Sequence, residues 1–208
     1  LVSPRAAFSY EPNWDRDYVF RLASGYYYQP PFYKEFRDLE GNINNDIKAQ
    51  KSIHFVAGGD YYFKAWERQF KFVTELYYKH FEDLIPYEVD NVRIRYHAKN
   101  NANGYAMGVD LRVNGEFVKG VESWASLSVM QIQEDIEDDV YDEDYNKKDE
   151  VIVPGYTEDD SVAYTKTVYP GYIPRPTDQR VNFGLFFQDY LPNNETFRVH
   201  LSLLFGTG

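Results

Sequence analysis

From Ser52 to Phe81 the side chains alternate with a period of two, and this feature narrows the possible folds more than any other in the chain. Ile53, Phe55, Ala57, Gly59, Tyr61 and Phe63 fall on one face of an extended strand, while Ser52, His54, Val56, Gly58, Asp60 and Tyr62 fall on the other. A turn at 64–68 follows and the alternation resumes. Phe70, Phe72, Thr74, Leu76 and Tyr78 share one face, opposed by Lys71, Val73, Glu75, Tyr77 and Lys79. Two long strands joined by a tight turn are therefore predicted. Alternation held over about ten residues per strand is longer than a globular sheet requires and suits a strand that tilts across a bilayer.

The 208 residues allow one large domain or two small ones, and 43% hydrophobic content is enough for a core. The kind of apolar residue is more telling. With 20 Tyr, 15 Phe and 3 Trp the chain is 18% aromatic, about twice the share of a generic soluble domain. Aromatic side chains favour strands and the interfacial girdles of membrane barrels. The mean hydropathy is −0.60, and no apolar run reaches the ~18 residues of a transmembrane helix. A barrel tolerates such low hydropathy because lumen-facing polar residues dilute every strand. The net charge of −11 argues against nucleic acid. The lack of cysteine removes disulfides, thiolate catalysis and zinc-finger chemistry. No basic stretch followed by an apolar segment marks a signal peptide.

The rest of the chain repeats the alternation. A short strand at about 5–10 stops at Glu11-Pro12-Asn13, and another runs from about Asp15 to Tyr28. In the latter, Tyr18, Phe20, Leu22, Tyr26 and Tyr28 oppose Val19, Arg21, Ala23, Gly25 and Tyr27. Residues 29–51 read as a long loop with a helical turn around Lys34 to Leu39. Residues 82–103 read as a second long loop, with a tight reversal at Asp90-Asn91. Tyr105, Met107, Val109, Leu111 and Val113 then oppose Ala106, Gly108, Asp110 and Arg112. After a turn at 114–122, a strand at 123–133 sends Ala125, Leu127 and Val129 outward, with Trp124 and Met130 on the inward face. Residues 134–177, the most acidic stretch, read as a mobile solvated loop. Strands at about 180–190 and 197–205 close the chain around a turn at 191–196.

The predicted fold is thus all-β, an antiparallel up-and-down meander of about eight strands. Its connections alternate between short (11–14, 64–68, 114–122, 191–196) and long (29–51, 82–103, 134–177). Tight periplasmic turns and long extracellular loops alternate in this way in membrane barrels, so residues 1–208 are expected to form a partial segment of a large transmembrane β-barrel. The rivals are a soluble or surface-exposed carbohydrate-binding β-sandwich and, third, a glycoside hydrolase fragment.

The phrases SPRAAFSYEPNW, GYYYQPPFYKEFRDLEGNINNDIKAQKS, YYKHFEDLIPYEVDNVRIRY, NNANGYAMGVDLRVNGEFVKGVESW and GYIPRPTDQRVNFGLFFQDYLP resemble consecutive barrel segments of TonB-dependent outer-membrane receptors. The similarity is greatest to the type that carries a carboxypeptidase-like regulatory domain before its plug, and it covers nearly the whole chain outside the acidic stretch. The resemblance implies a 22-stranded barrel in the bacterial outer membrane. Such a receptor imports an iron chelate, cobalamin or an oligosaccharide by TonB-coupled active transport, without enzymatic activity or a cofactor. Outer-membrane lipid, the receptor's own plug domain, TonB and the ligand are the implied partners. No plug sequence precedes Leu1, and FGTG lacks the terminal aromatic residue of a complete barrel, so an internal piece of the barrel domain is expected.

Site candidates are sparse. Exposed loop aromatics can stack on sugars or chelates, which singles out Phe32, Tyr33, Tyr169 and Tyr172 as ligand-binding candidates beside Tyr141, Tyr145, Tyr156 and Tyr164. Asp138, Asp139, Asp142, Glu143 and Asp144 lack the glycine and fixed spacing of an EF-hand and read as a solvated loop, with a weak cation site as the other reading. His54, His80, His97 and His200 show no metal-ligand spacing and read as polar wall residues. Asp60 and Glu75 are the acid and base that catalysis would use, but such pairs are common in an all-β chain, and no catalytic or metal residue is assigned. Arg21, Arg112, Arg180, Arg198, Lys71, Lys79, Asp60, Asp110 and Glu75 make up the predicted inward face. They serve there as charged pairs along the wall and against a plug, or as guides for an anionic ligand.

Overall fold

A computed structural model describes residues 2–191 and 194–207. Among them no helix forms. The strands are β1 (Arg5–Tyr10), β2 (Asp17–Gln29), β3 (Gln50–Ala65), β4 (Arg68–Leu84), β5 (Tyr87–Asp90), β6 (Arg93–Tyr96), β7 (Ala102–Val118), β8 (Val121–Ile136), β9 (Tyr141–Tyr145), β10 (Tyr164–Val168), β11 (Tyr172–Pro174), β12 (Val181–Leu191) and β13 (Asn194–Gly206). Eight of them form one antiparallel meander in the order β1-β2-β3-β4-β7-β8-β12-β13, and β11 adds to the loop end of β8. The all-β meander of eight strands is therefore present. β5–β6 and β9–β10 are separate two-stranded ribbons.

The register carries the alternation across the whole sheet. Leu22, Ala57, Leu76, Val109, Val129 and Val181 form one cross-strand row on the apolar face. Arg21, Gly58, Glu75, Asp110, Ser128 and Asn182 form the adjacent row on the polar face. Because a one-residue slip in any strand would mix the two sets, polarity itself fixes the pairing. Phe55, Phe72, Leu111, Phe183, Leu185 and Leu201 all share the apolar face, while Trp124 and Met130 lie on the polar one. Trp124 is accommodated there by stacking on Phe186 at 6.2 Å and by the guanidinium of Arg112, 4.9 Å from its ring.

No second sheet covers the apolar face among the described residues. Leu76 stays 54% exposed, Phe55 52% and Leu201 59%, and the buried apolar residues are few, among them Phe70, Leu84 and Ile85. Two aromatic rows bound this face. At the short-turn end Trp14, Tyr18, Tyr61, Phe63, Phe70 and Phe117 touch in sequence, with centroid distances of 5.9, 4.6, 5.4, 5.5 and 5.2 Å. At the long-loop end Tyr78, Tyr105 and Tyr172 are linked at 6.2 and 5.4 Å.

The connections are tighter than the sequence suggests. The 64–68 turn contracts to Trp66-Glu67, both in the left-handed region at φ 52° and 60°. The 114–122 turn contracts to Lys119-Gly120, with Gly120 at φ 81°. Neither Trp nor Glu is a turn residue by type, so only the cross-strand register discloses the first of these. The connection predicted at 11–14 spans 11–16. Pro192 and Asn193, at the centre of the turn predicted at 191–196, lie outside the described residues. The helical turn expected at Lys34 to Leu39 is instead a run of reverse turns, Glu35 N–H to Phe32 O at 2.9 Å and Arg37 N–H to Lys34 O at 3.2 Å. Residues 82–103 split: β4 continues to Leu84, the reversal at Asn91 builds β5–β6, and β7 already starts at Ala102.

The mobile loop expected at 134–177 also requires correction. Thr165 and Thr167 on β10 donate hydroxyl hydrogen bonds to Asp144 (2.6 Å) and Asp142 (2.7 Å) on β9. Tyr145 and Tyr164 stack at 5.0 Å with 2° between their planes. A threonine–aspartate ladder and one ring pair thus satisfy a stretch whose composition reads as disordered.

Candidate ligand pocket beneath the long loops

In a meander the short and long connections necessarily collect at opposite ends of the sheet. On the polar face, at the long-loop end, a cavity of about 540 Å³ lies beneath the loops, within the usual range for small-molecule sites. Its floor comes from neighbouring strands. Tyr27 of β2 stacks on His54 of β3 at 4.2 Å, and Lys79 of β4 pairs with His54 across the ladder. The roof is Phe32 and Glu35 from the β2–β3 loop, Tyr87 and Tyr96 from the β5–β6 ribbon, and Arg175 just after β11.

The roof is held in place by buried polar groups. Glu35, only 4% exposed, accepts from the Phe32 N–H at 2.7 Å and from Gln50 Nε2 at 3.2 Å. Gln50 Oε1 in turn accepts from the Ile85 N–H at 3.2 Å, which ties the loop to the end of β4. Asn44 donates to the Ala98 carbonyl (2.9 Å), Asn100 accepts from the Lys48 N–H (2.7 Å), and Arg95 donates to the Leu39 carbonyl (2.6 Å). These bonds lace the β2–β3 loop to the β4–β7 connection. Arg175 spans the Tyr87 ring at 5.1 Å and lies 3.3 Å from Glu134, 2% exposed, without the alignment of a hydrogen bond. Burial, with the Glu35 carboxylate beside it, raises the pKa of the Tyr96 phenol above its ordinary value.

Of the four loop aromatics that composition singles out, Phe32 alone lines this cavity. Tyr33 is exposed, with the Lys34 ammonium 6.0 Å from its ring. Tyr169 is 76% exposed, and Tyr172 joins Tyr105 in the aromatic row on the opposite face. The other lining residues come from six separate segments between Tyr27 and Arg175, and only register brings them together.

Asp60 and Glu75 lie within the sheet. Asp60, 3% exposed, takes both Arg21 Nη1 and Nη2 at 2.6 Å and Lys71 Nζ at 2.8 Å. Glu75 sits one row away, opposite Gly58 and Asp110. Among the described residues no group of three or more potential metal ligands converges. A larger open depression, about 1020 Å³, is lined at mid-sheet by residues of both faces, Ala23, Val56 and Gly108 beside Leu22, Ala57 and Leu76. It holds little that could orient a polar ligand and is not a second site. No family model, curated protein or solved structure matches the chain.

Proposed function

We propose that this chain supplies strands to the barrel of an outer-membrane receptor that imports a scarce nutrient, such as an iron chelate, cobalamin or an oligosaccharide, by TonB-coupled transport. The observation that carries this reading is the apolar face, uncovered and bounded by two aromatic rows. From Phe63 to Ile53 along β3 the band spans eleven residues, ten steps of ~3.3 Å or about 33 Å. Tilted as barrel strands are, it matches the ~25 Å apolar band of such proteins. The charged residues of the band's far side, Arg21, Asp60, Lys71, Glu75, Asp110 and Arg112, suit a lumen wall that faces water and a plug. Long loops gathered over a cavity at one end suit capture of a ligand from outside.

The absence of native cysteine makes labelling the natural test. Single cysteines at Leu76 and Val109 are expected to be reached by a lipid-phase quencher in vesicles and shielded from a water-soluble maleimide. Cysteines at Glu75 and Asp110 are expected to show the reverse. Labelling of all four by the maleimide in a monodisperse, detergent-free monomer would refute the membrane reading and favour a soluble β-sandwich.

A further inference from the structure

We infer that the cavity beneath the long loops binds an acidic saccharide, with its carboxylate on Lys79 and its ring faces against Tyr87 and Tyr96; the Tyr27 ring is already sandwiched between His54 at 4.2 Å and the Arg5 guanidinium at 4.1 Å. This rests on the receptor reading, in which the same cavity captures the ligand, and names the chemical class of that ligand. Charge argues for it first. The chain carries a net charge of −11, yet the charged side chains that the polar face turns to the cavity are Lys79 and Arg175 against the single carboxylate of Glu35; Lys51 borders it but sends its ammonium to Tyr26 and Glu82 on the apolar face. Two of these three are already engaged: Arg175 with Glu134 at 3.3 Å, and Glu35 with two N–H donors. Lys79 has no carboxylate partner among the described residues; its ammonium has only the Tyr77 ring at 5.1 Å. Lys79, a partly buried residue on the cavity wall of an acidic chain with no counter-ion among the described residues, is placed to take an anion.

The class of anion follows from the rest of the lining. The tyrosines offer flat apolar faces with a polar tip, which suits the alternating C–H and hydroxyl surface of a pyranose. Gln29 and Gln50 add hydrogen-bonding amides to the lining. A purely aromatic acid would use the rings and Lys79 but leave those amides unused. A neutral saccharide would leave Lys79 unpaired.

The test is calorimetric titration of the full chain in detergent micelles with trigalacturonic acid, neutral galactotriose and benzoate. The acidic trisaccharide is expected to bind at least tenfold tighter than the neutral one, as one charge-assisted contact implies, and to weaken with added salt. Lys79→Gln should erase that preference and Lys79→Arg restore it, while Lys64→Gln on the short-turn side leaves it unchanged. Tyr87→Ala should weaken binding of both sugars. Circular dichroism of each variant separates loss of binding from loss of fold. Equal affinity for the two sugars, benzoate binding as tightly as the acidic sugar, no binding of any probe, or a preference that survives Lys79→Gln would overturn the inference. Binding by a chain that fails the membrane-labelling test would refute the receptor reading alone.

Discussion

At Asp60 two cations converge on one nearly inaccessible carboxylate, and Arg21 grips it through both terminal nitrogens at 2.6 Å. Asp60→Asn keeps the volume and removes the charge, leaving Arg21 and Lys71 facing an amide. Since those cations are 42% and 35% exposed, water screens part of the loss. A cost of about 1–3 kcal/mol is expected, read as a lower denaturant midpoint in detergent. Gly115 depends on shape rather than charge. The ring of its cross-strand partner Phe70 lies over it, and an added Cβ would overlap that ring. Phe70 is 4% exposed and hemmed in by Phe63, Trp66 and Phe117, so it has nowhere to rotate. Gly115→Ala should therefore cost about 1–3 kcal/mol by overpacking, checked by the same denaturation midpoint. Asp38 gives a pH-dependent case. Hydrogen bonds from the Asn42 side chain and from the N–H groups of Asn42 and Glu40 hold its pKa below the ordinary aspartate value. The contribution to loop order is therefore present above that ordinary value and lost as pH falls through the lower folded one. The protection of the amides of residues 38–44, taken against their intrinsic exchange rates, should fall below about pH 4, and Asp38→Ala should show the lower protection at neutral pH as well.

Among the elements, the β3–β4 hairpin shows where sequence reading succeeds and where it stops. Its two faces follow from alternation alone because each side chain's neighbours are set by the pleat. Its two-residue turn does not, because Trp66 and Glu67 occupy left-handed positions that Asn and Gly normally take. Trp66 has a reason to be there, since its ring meets Phe70 edge-on at 5.8 Å. Glu67 has no such contact among the described aromatic and ionic pairs, so it bears backbone strain without compensation. Glu67→Gly should stabilise the hairpin by about 0.5–1 kcal/mol, seen as a higher unfolding midpoint, whereas Trp66→Gly should not, because it loses the ring contact. The acidic β9–β10 ribbon was illegible for a different reason. Composition registers the charge of Asp142 and Asp144 but not the threonine hydroxyl opposite each, and that pairing turns a repulsive run into a ladder.

For the molecule as a whole, the sorting of connections into short and long was readable from the positions of proline, glycine and asparagine, and it already implied two unlike ends. The cavity at the long-loop end was not readable. Tyr27, His54, Lys79 and Arg175 look like ordinary wall or loop residues until register places them together. The proposed receptor reading rests on the sheet's two-sidedness, and adjacent residues of β8 test it at one depth. Val129 is 49% exposed on the apolar face, in the row with Leu76 and Val109, whereas Ser128 faces the other way beside Asp110 and Asn182. If lipid covers the apolar face, Val129→Arg puts a guanidinium near the middle of the hydrocarbon and costs about 2–4 kcal/mol. Ser128→Arg puts the same group on the watered side, next to a carboxylate, and costs little. Folding titrations in lipid vesicles should therefore separate two variants that differ by a single position in the chain. In a soluble sandwich with a covering layer, both faces of β8 would be read in water-based assays alone. If Val129→Arg inserts and folds as readily as Ser128→Arg, the membrane reading fails.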